Sequence, residues 1–586
     1  MSLEAALANV DAIADRTFAG WKVPGLAYGV TLGDRLVHSR GLGTLRVGED
    51  ARPDADSVFR IASMTKSFTA ATVLLLRDEG RLRLDDPIGE HVPELADLRG
   101  PTADSPPITI RHLLTMTAGF PTDDPWGDRQ QGLDLASFAE FLRGGISFAW
   151  APGLRFEYSN LGYGILGRVI TNIAGQEYRD VVASRFLRPL VMTSTTYDET
   201  NVPPGRLARG YLWRDEAWCE EPSDPYGALA SMGGAFSSVR DLARWVAGFV
   251  DAFPPRDDAE GRHPLRRASR REMQQPQRAL DPSISAPSTD AVPEFQGGAY
   301  GFGLVAIDHM AYGRIVGHSG GYPGFGSNMR WHPASGLGVV VLANGRYAPA
   351  TPLGKDLLEA LLAADAAPIR RVRPVPATEA ARATIERLLE RWDDAAVDRL
   401  CSMNVELDEP IARRRAVFEK LRASHGSLRP DPDAPAESFS PFHLSWWMRG
   451  ERGRVQIEIQ LSPEPEPKVQ TLNLTSVPEP PPELADAAAL VRAALDAAAP
   501  AWPASIALDD AVDPVALRRA LMAAAARFAP IERTAVVGGD GAKSASFRFT
   551  GSRGAFELRM TRDPETGRLT RAVLVPTNLE PPVLAD

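Results

Sequence analysis

Apolar residues change their spacing several times along the chain. Leu3, Leu7, Val10, Ile13 and Phe18 recur close to a 3.6-residue period, which predicts an amphipathic helix at the start. Leu26 to Leu32 then alternates as a strand, Gly33-Asp34 turns the chain, and Arg35 to Ser39 returns it as a hairpin. From about 60 to 250 the pattern is mainly helical. Within it, Ser63 to Glu79 carries Phe68, Ala70, Ala71, Val73, Leu74, Leu75 and Leu76 and stops at Gly80, predicting a buried helix with a glycine C-terminus. Residues 254–298 turn polar and proline-rich and read as a long surface loop, interrupted by a short helix near Arg270 to Gln277. Strand patterns return at Tyr300 to Ile307, Arg314 to His318, Ser327 to His332 and Leu337 to Leu342. Strands at both ends with helices between them predict an α+β domain, residues 1–365, whose antiparallel sheet is closed by its two ends.

The segment 366–377 is basic and proline-spaced, as a joint between domains should be. Beyond it the chain repeats itself. Gly450-Glu451-Arg452-Gly453 aligns with Gly551-Ser552-Arg553-Gly554, and Val455 to Ile459 falls on Phe556 to Met560. Both copies close on Leu-Ala-Asp, at Leu484-Ala485-Asp486 and Leu584-Ala585-Asp586. A repeat of about 100 residues is too long for a solenoid unit. Two copies of one small α+β domain, 378–482 and 483–586, are expected, helices first and an antiparallel meander after. Trp446 and Trp447 adjoin on a predicted strand, so one should face the core and the other solvent or a neighbouring domain.

Composition narrows the function. The net charge of −10 opposes a nucleic-acid or anionic-membrane surface and favours a small-molecule substrate. Two distant cysteines, Cys219 and Cys401, give neither a disulfide framework nor a metal-ligand spacing. The N-terminus lacks the features of a signal peptide and no stretch approaches the roughly 20 apolar residues of a membrane span, so a cytoplasmic location is expected.

Ser63 and Lys66 stand three residues apart at the head of the buried helix, where their side chains are adjacent on one face. A serine nucleophile needs a base, and a lysine can serve once burial and the positive end of the helix lower its pKa. Arginine cannot. The chain has 65 Lys plus Arg but only six lysines, and Lys66 alone follows a serine at this spacing. The competing reading is a serine-capped helix with a solvated lysine.

Tyr158 and Asn160, in Phe156-Glu157-Tyr158-Ser159-Asn160, could relay a proton and hold a substrate carbonyl, or simply form a turn with Asn160 as helix N-cap. Gly317-His318-Ser319-Gly320-Gly321 lies at a strand end, where glycines allow close approach of a substrate and backbone N–H groups can bind an oxyanion. His318 would present a polar or cationic group to the Ser63/Lys66 pair.

In order and separation, Ser63-x-x-Lys66, Tyr158-x-Asn160 and His318-x-Gly320 resemble the motifs of the serine β-lactamase and penicillin-binding protein superfamily. The likeness is to its class C-like branch of D-aminopeptidases, D,D-carboxypeptidases and esterases, and covers about residues 5 to 360. It implies a β-lactamase-like catalytic domain, an antiparallel sheet plus a helical subdomain, ahead of the two small α+β domains. It also implies acylation of Ser63, with Lys66 and Tyr158 moving the proton and the backbone N–H groups of Ser63 and Gly321 as oxyanion hole. Asn160 and Gly320 would line the substrate, with no metal or cofactor. Met116 and Ala118 stand where many relatives have His and Ser, and His318 replaces the lysine usual in true β-lactamases. The expected reaction is cleavage of an amide or ester, as a peptidase or amidase on small or D-residue peptides. An esterase, or an acyl transferase or peptide cyclase, would use the same acyl-enzyme.

Two rival readings remain. Gly317-x-Ser319-x-Gly321 also fits a nucleophile elbow, which requires a sharp turn into a helix. The other is a catalytically silent binding protein on the same fold.

Overall fold

A computed structural model describes residues 3–285, 294–309, 312–368, 373–434, 436–497, 499–551 and 554–577. The chain forms two compact units, one mainly before residue 370 and one after it.

The first unit begins with α1 (Leu3–Gly20) and the hairpin β1 (Gly25–Leu32) and β2 (Arg35–Gly43). Its sheet is completed by β3 (Arg278–Ser285), β4 (Glu294–Tyr300), β5 (Val305–His309), β6 (Gly313–Tyr322), β7 (Phe325–Trp331) and β8 (Leu337–Ala343), in the order β2-β1-β8-β7-β6-β5-β4-β3. The first hairpin meets the last strand antiparallel, Leu26 opposite Ala343 and Leu32 opposite Leu337, so the two ends of the unit close one sheet. Every residue of β8 is buried, consistent with a central strand covered on both faces. α5 (Ala350–Ala363) and α1 pack together, and α4 (Val239–Asp251) packs against β1 and β8.

The helical part is built on α2 (Lys66–Asp78) and α3 (Asn160–Ala174). The helix expected from Ser63 starts at Lys66, because residues Ala62–Thr65 form a tighter 3₁₀ turn. It ends as its glycine predicts: Gly80 is left-handed at φ 72, and its N–H donates to Arg77 O at 2.8 Å. Phe68 of α2 stacks on Trp245 of α4 at 4.1 Å, both fully buried.

The surface loop expected over 254–298 is corrected in part, since β3 and β4 lie within it. The sequence hid β3 because it is the outermost strand: residues 278–282 are all at least partly exposed, and Pro282 is tolerated where no neighbour needs its N–H. The short helix runs Arg267–Met273, three to four residues earlier than its pattern suggested.

In the second unit, α6 (Pro376–Glu390) and α7 (Ile411–His425) precede the sheet β9 (Arg429–Pro430), β10 (His443–Arg449), β11 (Arg454–Leu461) and β12 (Val469–Val477). The layout then recurs as α8 (Pro482–Leu495) and α9 (Pro514–Phe528), followed by β13 (Ile531–Gly539), β14 (Ser544–Gly551), β15 (Gly554–Arg562) and β16 (Leu569–Pro576). These are tandem α+β domains, each with its own core. Trp446 lies in the first core, whereas Trp447 packs with Ala434, Val477 and, from the second domain, Val536. The closing Leu584-Ala585-Asp586 lies outside the described residues.

Candidate active site

The short strand Val58–Arg60, paired with Phe236–Ser238, delivers the chain into the 3₁₀ turn that carries Ser63. Ala62 has a left-handed backbone, φ 48, a conformation that costs a non-glycine residue about 1–3 kcal/mol. Its neighbour is pinned from both sides: Ile61 N–H donates to Ala235 O at 2.9 Å and Ile61 O accepts from Ser327 Oγ at 2.8 Å. Residues 57–76 are buried throughout except Ser63, which is half-buried. The strained turn thus leaves one hydroxyl accessible in an otherwise sealed segment.

Lys66, one turn on, is fully buried, which removes the solvated-lysine reading. Its Nζ donates to Ser63 Oγ at 2.9 Å, Asn160 Oδ1 at 2.6 Å and Met232 O at 2.8 Å. Burial pushes its pKa down to about 8 against the opposing charges of Asp124, Asp123 and Asp128. When the amine loses a proton, two N–H bonds suffice for Asn160 Oδ1 and Met232 O, neither of which can donate to it. The lone pair is then left facing the Ser63 hydroxyl.

Tyr158 Oη donates to the same Ser63 Oγ at 2.8 Å. Burial raises the phenol's pKa well above its ordinary value, so it is a neutral donor at neutral pH. Asn160, two residues later, opens α3, but the N-cap is Ser159, whose Oγ accepts from Gly162 N–H at 3.3 Å. The carboxylate of Asp123 also accepts from Asn160 N–H and Leu161 N–H, each at 2.7 Å, at the positive end of the helix. Asn160 has no exposed surface, and its amide is committed to Lys66 on one side and Asp124 Oδ1 on the other. The amide expected to hold a substrate carbonyl therefore positions the lysine in this arrangement.

On β6, Gly320 faces the turn that carries Ser63. A Cβ there would collide with Ile61 O and Ser327 Oγ and stand 3.0 Å from Ala62 Cβ. Only glycine lets the strand lie directly against residues 61 and 62. Gly321 is half-exposed at the strand's end, beside the Tyr347 ring. His318, two residues back, is buried. Its Nδ1 donates to Ser319 O at 2.6 Å, which leaves Nε2 to accept from Tyr300 Oη at 3.1 Å. Burial, with the nearby Lys66 charge, lowers its pKa to about 4, so the cationic alternative for His318 is corrected to a neutral ring held in one tautomer. Ser319 is exposed on an unbroken strand and no helix follows, which removes the nucleophile-elbow reading.

Sequence reasoning missed the acidic segment beneath Asn160, a loop at Asp123-Asp124 that runs into the helical turn Trp126–Arg129. Asp123, Asp124 and Asp128 come from a turn-like run with Pro125 and Gly127, which offered a loop signal but none for its packing. Gly127 fits against Asn160, where an added Cβ would lie 2.8 Å from the Asn160 Cβ. Asp128 is buried, and burial raises its pKa to about 6. Tyr300, the partner of His318, carries no sequence signal beyond opening a strand. Among the described residues one trio, Asp86, Glu90 and His91, brings possible metal-ligand atoms within 4.8 Å of one another, and it shares no residue with the Ser63 cluster.

A buried lysine and a tyrosine converging on one half-exposed serine, beside β6, define a serine-centred site of the SxxK kind. Residues 10–364 match the beta-lactamase family, and the chain belongs to that family. It is similar to the D-alanyl-D-alanine-carboxypeptidase/endopeptidase AmpH of Escherichia coli K12, 32% identical over 253 residues, 42% of this chain and 62% of that protein. It is also similar to protein flp of Staphylococcus aureus NCTC 8325, 28% identical over 349 residues, 58% of this chain and 64% of that protein. The matches thus span less than two thirds of these relatives. The octameric penicillin-binding protein homologue of Pyrococcus abyssi shares the fold over 97% of this chain and 98% of its own, with TM-score 0.52 and 17% identity. Among the described residues no helix is long and apolar enough to cross a membrane.

Proposed function

We propose that this protein is an acyl-transfer serine hydrolase that cleaves amides or esters through a Ser63 acyl-enzyme, acting as a peptidase or amidase on small peptides, D-residue peptides among them. The observation that carries this reading is the convergence of Lys66 Nζ and Tyr158 Oη on Ser63 Oγ, at 2.9 and 2.8 Å. Neutral Lys66 takes the serine proton as Oγ attacks the carbonyl carbon. The oxyanion is held by the backbone N–H groups of Ser63 and Gly321, as the family resemblance implies. As the tetrahedral adduct collapses, the proton passes from Lys66 through Tyr158 to the leaving nitrogen or oxygen. Water then attacks the ester and the same groups return the proton to Ser63. The lowered pKa of Lys66 and the raised pKa of Tyr158 favour the lysine over the phenol as acylation base.

Labelling by a fluorophosphonate probe, beside Ser63→Ala, tests this reading. Stoichiometric labelling of the wild type and none of the variant is expected. An unlabelled but folded wild type near pH 8 would favour the silent binder. A panel of D- and L-aminoacyl anilides, short esters and a cephalosporin then ranks the substrates.

A further inference from the structure

We propose that Tyr347, held by Asp128, is a specificity-determining end wall of the substrate groove, limiting the length of the group that runs past Gly321. This deepens the acyl-enzyme reading above and rests on it.

Tyr347 takes no part in the proton transfers, yet its setting is costly. Its backbone is left-handed, φ 45, which a bulky aromatic residue adopts only when its surroundings impose it. Its N–H donates to Tyr322 O at 3.2 Å, which fixes the backbone to the end of β6. The ring then lies over Gly321, with Cδ1 2.8 Å from where a Cβ would be, so any side chain at 321 would displace it. At its far end Oη donates to Asp128 Oδ2 at 2.8 Å.

The single side chain therefore reaches from the strand expected to hold the oxyanion to the loop that supports Asn160. Asp128 is fit to be the anchor. It is 5% exposed, its backbone O accepts from Tyr322 Oη at 2.9 Å, and its neighbour Gly127 packs on Asn160. Tyr322 is in turn fixed by Asp224 Oδ2 at 2.5 Å and by the buried Arg60 guanidinium, 4.5 Å from its ring centre. The far end of the ring is thus tied to a rigid base, while Tyr347 as a whole stays 40% exposed. A side chain fixed at both ends yet left partly exposed is suited to bound a groove rather than to fill a core.

The test uses the full-length enzyme and two ester series. One lengthens the acyl chain, 4-nitrophenyl acetate against 4-nitrophenyl hexanoate. The other enlarges the leaving group, 4-nitrophenyl acetate against 4-methylumbelliferyl acetate. Tyr347→Gly removes the wall while accepting the left-handed backbone, so it should fold. The long-to-short ratio of kcat/KM, normalised to wild type, should rise about tenfold in one series, mainly through KM, and the responding series identifies the half of the substrate that meets the ring. Tyr347→Phe keeps the ring and should restore most of the wild-type ratio. Normalised ratios unchanged in both series, in a Tyr347→Gly protein that melts normally and still labels with the fluorophosphonate, would overturn the proposal. Calorimetry of acetanilide and hexananilide on Ser63→Ala, with and without Tyr347→Gly, separates the two readings. A shifted binding preference without wild-type turnover would sink only the catalytic reading; turnover with neither kinetic nor binding preference shifted would sink only the wall.

Discussion

Asn160 Oδ1 sits 2.6 Å from Lys66 Nζ, nearer than the serine that the lysine is proposed to activate. The amide oxygen can only accept, so it holds one N–H of the amine in both protonation states, and the acidic loop beneath holds the amide. Asn160→Ala should leave the lysine free to turn away and raise its pKa toward the loop carboxylates. Fluorophosphonate labelling at pH 7 should slow by about 10²-fold or more, the scale of a lost general base, with partial recovery at higher pH.

Lys66 must be neutral to act as the proposed base, and burial places its pKa at about 8. The acylation rate should therefore rise with pH through about 8 and level off above it. His318, neutral above about 4, should add no limb between pH 5 and 7. Asp128, with its pKa near 6, is ionised around pH 8 and favours the ammonium form, so Asp128→Asn should move the limb to lower pH. A limb that stays fixed in Asp128→Asn, read from the pH profile of kcat/KM, would remove this electrostatic link.

Lys66→Arg preserves charge and approximate length but cannot deprotonate near pH 8. Labelling should fall at least about 10³-fold at every pH below 10, within the range of general-base catalysis. A near-normal rate would show that the base is elsewhere.

Tyr158→Phe removes the donor on Ser63 Oγ without emptying its space. An anilide, whose leaving nitrogen needs a proton, should suffer more than a nitrophenyl ester, whose leaving oxygen does not. The anilide-to-ester ratio should drop about 10²-fold; equal losses would mean the phenol only positions the serine.

Gly320→Ala tests whether β6 must touch the turn that carries Ser63. The new methyl would meet Ile61 O, a backbone atom that cannot swing aside. A cost of about 1–3 kcal/mol is expected from such overpacking, seen as a lower Tm, together with slower labelling as the turn shifts.

Much of the catalytic unit was legible because its signals are local. The alternation in β1, the apolar run of α2 and its glycine stop are dictated by short-range periodicity and backbone sterics, and the three-residue spacing keeps Ser63 and Lys66 adjacent even though a 3₁₀ turn, not α2 itself, carries the serine. Tyr158 and Asn160 could be named but not cast: the amide expected to meet substrate instead holds the lysine, because Lys66 and Asp124 converge on it from elsewhere in the chain while Asp123 holds the Asn160 backbone N–H. β3 escaped because an exposed outer strand has no buried face to impose alternation.

The α+β periodicities, the tandem repeat and the chemical identity of the serine, lysine and tyrosine follow from the order of residues alone, since each depends on residue type and near neighbours. The lowered pKa values of Lys66 and His318 and the bridge from Tyr347 to Asp128 arise only in the folded chain. Those depend on which distant groups exclude water from one another, and burial and distance exist only once the chain has closed on itself.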